Sequence, residues 1–170
     1  MIEIRRAHPS DAETLSEVGK RTFVDAFAKD NRDEDIQQYI AETFSAEKQL
    51  REINDSTRRI AIAWSGNVAI GFFHLVKSAP DPSVTGAAPI ELLRLYIDSR
   101  WYGKGIGAAL MDQTIEIAQR EGFQTLWLGV WERNFRAQAF YKKYGFSVVG
   151  KHIFRLGSDD QTDLIMVRSV

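Results

Sequence analysis

Three glycines at alternate positions, Gly103, Gly105 and Gly107, stand in the run Arg100-Trp-Tyr-Gly-Lys-Gly-Ile-Gly-Ala108. An aliphatic, strand-like stretch precedes them and a helix-like stretch follows at once. One glycine at such a corner asks only for a turn with positive φ. Three spaced by two, opening a helix, can do more. Their backbone N–H groups converge on an anion, the helix dipole favours negative charge, and no side chain blocks the approach. Arg100 and Lys104 add positive charge beside them. Two phosphate loops are excluded. Gly-x-x-x-x-Gly-Lys-Ser/Thr does not occur. The dinucleotide fingerprint Gly-x-Gly-x-x-Gly follows the first strand of a βαβ unit, whereas this loop follows a fourth predicted strand.

A second constellation lies about thirty residues on. Asn134 reads as a helix cap, followed by Ala137, Phe140, Tyr141 and Tyr144 at helical spacing and a stop at Gly145. Taken alone, such an aromatic stripe is usually core. Glu91 opens the strand before the glycine loop and by itself is an ordinary strand-end charge. Of the three histidines, His74 alternates with bulky apolar neighbours and could face a site or the core. No two histidines have metal-ligand spacing, so no metal is expected.

The elements that must position these residues follow from periodicity. Ile2–Arg6 alternates as a first strand. Pro9-Ser10-Asp11 starts a helix carrying Leu15, Val18, Phe23 and Phe27, with Gly19 as a weak point. Asn31 reads as the cap of a second helix bearing Ile36, Tyr39 and Ile40, and Ser45 opens a third that ends near Asn54. Arg59–Trp64 and Val68–Val76 form a hairpin about Ser65-Gly66-Asn67. Residues 78–89 hold three of the four prolines and read as a loop of mobile composition. Ile90–Ile97 returns to strand. After the glycines come an amphipathic helix ending at Gly122, a strand Thr125–Trp131, the Asn134 helix, and strands Phe146–Leu156 and Thr162–Arg168. The order predicts an α/β mixed-sheet fold.

Bulk properties bound the function. With 170 residues and 44% hydrophobic content, one domain spanning 1–170 is expected. The net charge of -1 gives no reason to expect nucleic acid as a partner. The absence of cysteine excludes disulfides and an acyl-cysteine route. The N-terminus lacks the apolar core of a signal peptide, and no apolar run approaches the ~20 residues of a membrane span. A cytoplasmic protein without a membrane partner is the expectation.

The two constellations together resemble the GCN5-related N-acetyltransferases (GNAT). The match lies in Leu93-Arg-Leu-Tyr-Ile97, Arg100-Trp-Tyr-Gly103-Lys-Gly105 and Asn134-Phe-Arg-Ala137-Gln-Ala-Phe140-Tyr141, then Tyr144-Gly145-Phe146. Segments 127–134 and 154–166, with Phe23-Val-Asp-Ala-Phe27, Asn31 and Glu34, resemble PaiA-type spermidine/spermine acetyltransferases. The resemblance implies a mostly antiparallel central sheet with strands 4 and 5 splayed and helices on both faces. It implies acetyl transfer from acetyl-CoA to an amine by direct attack in a ternary complex. Arg100, Gly103, Lys104, Gly105, Ile106, Gly107 and Ala108 would then hold the pyrophosphate. Leu95, Tyr96 and Ile97 would offer backbone groups to the pantetheine as an added strand would. Asn134, Ala137 and Phe140 would complete the cofactor side, with Gly129 allowing close packing near the gap.

On the same resemblance Tyr141 becomes the acid that protonates the departing thiolate, since a phenol beside the sulfur can donate that proton. Glu91 becomes a base working through water, with Glu132 a weaker rival. The acceptor is expected to be a polyamine. Phe23, Phe27 and Tyr39 would pack on its methylenes, His74 would border it, and Glu34, among the acids 25–42, would take its charge. The stretch Phe72-Phe73-His74-Leu75 and the 78–89 loop depart from the PaiA pattern, and both could border the acceptor pocket. A peptide or protein amine is the alternative acceptor, and a non-catalytic acetyl-CoA sensor is the alternative of another class. Trp64, Trp101 and Phe154 are expected to leave aromatic surface, which would allow a homodimer.

Overall fold

The structure is a computed structural model describing residues 1–170. Its strands are β1 (Ile2–Arg6), β2 (Arg58–Ser65), β3 (Val68–Val76), β4 (Pro89–Ile97), β5 (Thr125–Trp131), β6 (Ser147–Leu156) and β7 (Asp159–Ser169). Its helices are α1 (Ala12–Phe27), α2 (Asp33–Thr43), α3 (Ala46–Asn54), α4 (Ile106–Arg120) and α5 (Phe135–Lys143). The strands form one sheet in the order β1-β2-β3-β4-β5-β7-β6. Every pair is antiparallel except β4–β5, which is parallel.

Alternation along the strands builds a core on each face of the sheet. Ile60 and Ile62 of β2 face a cluster with Leu15, Val18 and Phe23 of α1, Ile36 of α2, and Phe44 just after α2. Ala61 and Ala63 face the opposite cluster, filled by Leu110, Met111 and Ala118 of α4 and bordered by Phe140 and Tyr141 of α5. Small alanines on that side let α4 approach, while Phe73 of β3 fills the volume they leave. Gly19, a weak point by propensity, is where Phe44 packs onto α1: its ring leaves no room there for a Cβ.

Two irregularities shape the site. The β4–β5 pairing runs only from Pro89/Thr125 to Glu91/Trp127, after which the strands part. Opposite β3, the register skips Leu93, so β4 carries a bulge there. The bulge resets the alternation. Glu91, Arg94 and Tyr96 come to lie on the α1–α2 face, and Leu92, Leu95 and Ile97 on the α4–α5 face.

Several expectations are corrected. Asn31 does not cap α2; its side-chain amide donates to Phe27 O at 2.8 Å and closes α1. The last hairpin turns at Gly157 and Ser158, and β7 starts at Asp159 rather than Thr162. The buried carboxylate of Asp35 accepts from Ser158 N–H at 2.7 Å and hydroxyl at 2.9 Å, tying that turn to α2. The 78–89 loop is docked on the sheet, with Val84 packed against Trp127 and Ile165. Trp64, Trp101 and Phe154 pack against the two cores. Apart from the terminal Met1, the large apolar side chains that face outward are instead led by Phe135 at 74% and Ile153 at 65% exposure.

Candidate active site

Where β4 and β5 part, a cleft of about 260 Å3 opens and connects the two faces of the sheet. Tyr141, Ala137 and Asn134 border it from the α5 side, and Phe23, Phe27 and Tyr39 from the α1–α2 side. Leu95, Tyr96 and Ile97 run along the β4 edge that has lost its β5 partner, so backbone groups there are available to a ligand.

The glycine loop joins β4 to α4. Gly103 and Gly105 have φ of 73° and 81°, and no atom lies within 4 Å of a Cβ built on either. Ala109 is the first residue of α4 whose N–H reaches back along the helix, to Gly105 O at 3.0 Å. The N–H groups of Ile106, Gly107 and Ala108 precede it and are offered outward. Ile106 itself is buried in the core, so only its backbone can serve a ligand. Gly107 is small for packing: a Cβ there would lie 3.0 Å from Ile97 Cδ1 and 3.6 Å from the Phe140 ring. Phe140 therefore supports the loop from behind and is not part of the cleft wall.

Arg100 departs from expectation. Its guanidinium is held by Asp98 through bonds of 2.6 and 2.9 Å, so it braces the turn rather than standing free for a phosphate. Lys104 lies over the Trp101 ring at 4.8 Å. Arg136, stacked on Tyr102 at 3.8 Å, borders the cleft on the α5 side and is a cation the sequence reading missed.

Asn134 caps α5 by accepting from Ala137 N–H at 3.2 Å. This directs the first turn so that Tyr141 reaches the cleft, packed edge-on against Phe140 and Phe146. Burial alone pushes the Tyr141 phenol well above its usual range, so it carries its proton at neutral pH. Glu91 also lies in the cleft wall. Burial raises its carboxyl, while the Ser78 hydroxyl, donating at 2.8 Å, partly offsets that. Glu132 is exposed on the turn after β5 and is not part of the wall.

Two acceptor-side expectations are corrected. His74 does not border the cleft. It is 1% exposed and wedged between Arg58 (3.0 Å) and Arg94 (3.1 Å), with Glu52 closing the cluster onto Arg94 at 3.0 Å. Burial first, then the two arginine charges, holds its pKa well below the ordinary histidine range. Glu34 points to solvent with its side chain 79% exposed, paired loosely with Arg32. The acids of α2 therefore do not line the cleft.

The acids that do are Glu91 and Asp163. Asp163 on β7 stands beside His152 on β6, opposite Trp131 on β5. Its carboxyl lies over Gly129, where a Cβ would come within 3.3 Å of Oδ2. Burial pushes it up to about 6. Its one sequence signal is an acid sharing strand parity with Ile165 and Val167.

A parted parallel pair, a bulge before the parting and a glycine-opened helix after it form one arrangement. A family model described as "Acetyltransferase (GNAT) family" matches residues 22–146, which take in all three. The chain belongs to the GNAT acetyltransferase family. A spermidine N(1)-acetyltransferase from Thermoplasma acidophilum is 34% identical over 151 residues, covering 86% of this chain and 89% of that protein. An uncharacterized N-acetyltransferase from Mycobacterium tuberculosis is 32% identical over 161 residues, covering 95% and 99%. Among solved structures, the PaiA N-acetyltransferase of Thermoplasma acidophilum in complex with coenzyme A superposes with a TM-score of 0.83 at 30% identity, covering 100% and 99% of the two chains.

The enzyme is an acetyl-CoA-dependent N-acetyltransferase. Its residues fit that co-substrate. The outward N–H groups at the start of α4 suit a pyrophosphate, and the open β4 edge suits the pantetheine amides. No cluster of three or more His, Asp or Glu side chains is placed to hold a metal ion, and no helix is long and apolar enough to cross a membrane.

Proposed function

We propose that the enzyme acetylates a primary amine of a polyamine such as spermidine or spermine, with Tyr141 as acid and Glu91 as base. The observation that carries this reading is the character of the acceptor half of the cleft. Phe23 stacks on Tyr39 at 4.4 Å, Tyr39 meets Phe154 at 5.8 Å, and Phe27 meets Trp131 at 6.4 Å. Asp163 lies beside Trp131 among these rings, and Glu91 lines the same cleft towards the paired end of β4 and β5. Aromatic faces with buried carboxylates suit a chain of methylenes bearing ammonium groups. The likeness to a protein named spermidine N(1)-acetyltransferase supports the same choice.

Acetyl-CoA supplies the acetyl group as a thioester, open to direct attack by an amine nitrogen. That nitrogen arrives as ammonium, since alkylamines have pKa values near 10. Glu91, acting through a water, takes one proton so that the nitrogen has a lone pair. A backbone N–H on the parted edge of β4 donates to the carbonyl oxygen as negative charge builds there. Tyr141, kept protonated by burial, gives its O–H proton to the departing sulfur. The ammonium gives up two protons in all: the first passes through the water to Glu91 and on to solvent, and the second leaves the nitrogen as the C–S bond breaks, balancing the proton that Tyr141 gives to the sulfur and regains through solvent.

The pyrophosphate is held by the N–H groups of Ile106, Gly107 and Ala108, beside Gly103, Lys104 and Gly105. The reading is tested by thiol release from acetyl-CoA over a panel of spermidine, spermine, putrescine, lysine and short peptides. Turnover led by the polyamines is expected. Turnover confined to peptides would transfer the acceptor role to a polypeptide amine.

A further inference from the structure

The Asp163 carboxylate has a setting that the transfer chemistry just described does not use. No hydrogen bond from the protein reaches it, and the side chain facing it most closely across the strands is His152, Nε2 at 3.9 Å. Its side chain is only 13% exposed. The rings of Tyr39, Tyr96, Trp131 and Phe154 share its part of the cleft. A carboxylate so placed, without protein donors, suits a cationic ligand that brings its own N–H groups.

Position separates this carboxylate from the reacting end. Glu91 is in register with Trp127 and Asp163 with Trp131, four residues further along β5. The Asp163 carboxyl leans back over Gly129, so the two acids address stretches of the cleft on the order of 7–13 Å apart at strand rise. The chemistry separates them too. A carboxylate among aromatic faces stabilises an ammonium as a cation. That is the wrong setting for a nitrogen that must lose its proton to attack, and the right one for a nitrogen that keeps it.

We propose that Asp163 binds the non-reacting ammonium of a di- or polyamine and so sets the enzyme's preference for acceptors with two charges. The inference rests on the polyamine reading above and names the side chain that enforces it. His152, with Nδ1 3.5 Å from Asp81, is flanked by carboxylates on both sides and stands behind Asp163. The second ammonium forms a charge-assisted bond to Asp163 and packs its methylenes against Tyr39 and Phe154.

Asp163→Asn is the probe. Asparagine has the same shape, and burial already penalises the charge that it removes. Steady-state kinetics would compare putrescine with butylamine, which has the same chain and one nitrogen fewer. The wild-type enzyme should prefer putrescine. In Asp163→Asn the putrescine-to-butylamine ratio of kcat/KM should fall about 10- to 100-fold, the range expected for a hydrogen bond to a charged group, with the change carried by the KM for putrescine. An unchanged ratio, or an equal fall for both amines, overturns the assignment. If the wild-type enzyme turns over no di- or polyamine, the polyamine reading falls and this inference with it. If it does and the ratio holds in the variant, only this inference falls.

Discussion

Asp163 and His152 face each other on the acceptor side of the sheet, Oδ2 to Nε2 at 3.9 Å, from neighbouring strands β7 and β6. Burial outweighs the pull of His152 and pushes the Asp163 carboxyl up to about 6. Between about pH 4 and 6 the native protein then keeps a proton that the unfolded chain has lost. Native binds more protons than unfolded, so Asp163 lowers stability progressively as pH rises through that window, and the loss is complete above it. Glu91, Arg94, Tyr39, Tyr96 and His152 border the same cleft and are common to wild type and variant. Asp163→Asn should therefore melt above wild type at pH 7.5, by the equivalent of about 1–3 kcal/mol, with the gap closing by pH 4. Thermal melts across pH decide this; equal melting at pH 7.5 would remove the buried-charge penalty.

The opposite behaviour is expected of Glu52. It is a buried residue of α3, 3.0 Å from Arg94 and 3.7 Å from Arg58, with His74 between the two guanidiniums. Removing one partner of a buried ion pair leaves charge without compensation, typically at a cost of about 3–5 kcal/mol. Glu52→Ala should lose that much in denaturant unfolding. His74→Leu should cost far less, because His74 is held neutral there and brings no charge to the balance.

Why His74 was misread and Asp163 overlooked has one cause. In the structure, strand alternation sends Ile60 and Ile62 to one face and Ala61 and Ala63 to the other, so the sheet is buried on both faces. In such a sheet, parity alone cannot tell a core position from a cavity position. His74 and Asp163 are both polar residues inside apolar strands. Only the parting of β4 from β5 after Glu91, a relation between distant segments, puts a cavity beside Asp163 and none beside His74. The bulge at Leu93 was equally hidden, since it is a slip in register against β3. Tyr141, Asn134 and the glycine loop were legible because each belongs to a local motif whose spacing survives in sequence. The acids of α2 misled because helical spacing turned Glu34 to solvent and Asp35 to the Ser158 turn.

Ser78 comes from the docked loop, and its hydroxyl donates to Glu91 at 2.8 Å. That bond lowers a carboxyl which burial raises. With Ser78→Ala the Glu91 pKa should rise further. A base works only when deprotonated, so the acid limb of the kcat/KM profile should move to higher pH and activity at pH 6 should fall relative to pH 8. Glu91→Gln should abolish that limb and cut turnover about 10²-fold or more, as for loss of a general base. An acid limb that stays in place in Ser78→Ala would mean that another group sets it.

Tyr141 offers a cleaner separation of binding from chemistry. Its ring packs against Phe140 and Phe146, contacts that phenylalanine keeps. Tyr141→Phe removes only the O–H. Turnover should fall about 10²- to 10⁴-fold, the usual contribution of a positioned acid, while CoA affinity by calorimetry changes little. Full turnover in the variant would remove Tyr141 from the acid role.

The glycines of the loop should fail in two different ways. Gly105 has φ of 81° and open space around it, so alanine there brings backbone strain of about 1–2 kcal/mol but no collision. Gly105→Glu adds length and negative charge at the mouth of the N–H groups of Ile106, Gly107 and Ala108. Gly107 has no such strain, but its Cβ would press on Ile97 Cδ1 at 3.0 Å and so on the β4 edge. Melting with and without CoA separates the cases. A ligand at one hundred times its Kd stabilises by about 2.7 kcal/mol. Gly105→Ala should start lower and keep most of that gain, whereas Gly105→Glu should lose it. Gly107→Ala should lose stability in the absence of ligand, through packing rather than through the anion. Full stabilisation of Gly105→Glu by CoA would put the pyrophosphate elsewhere on the protein.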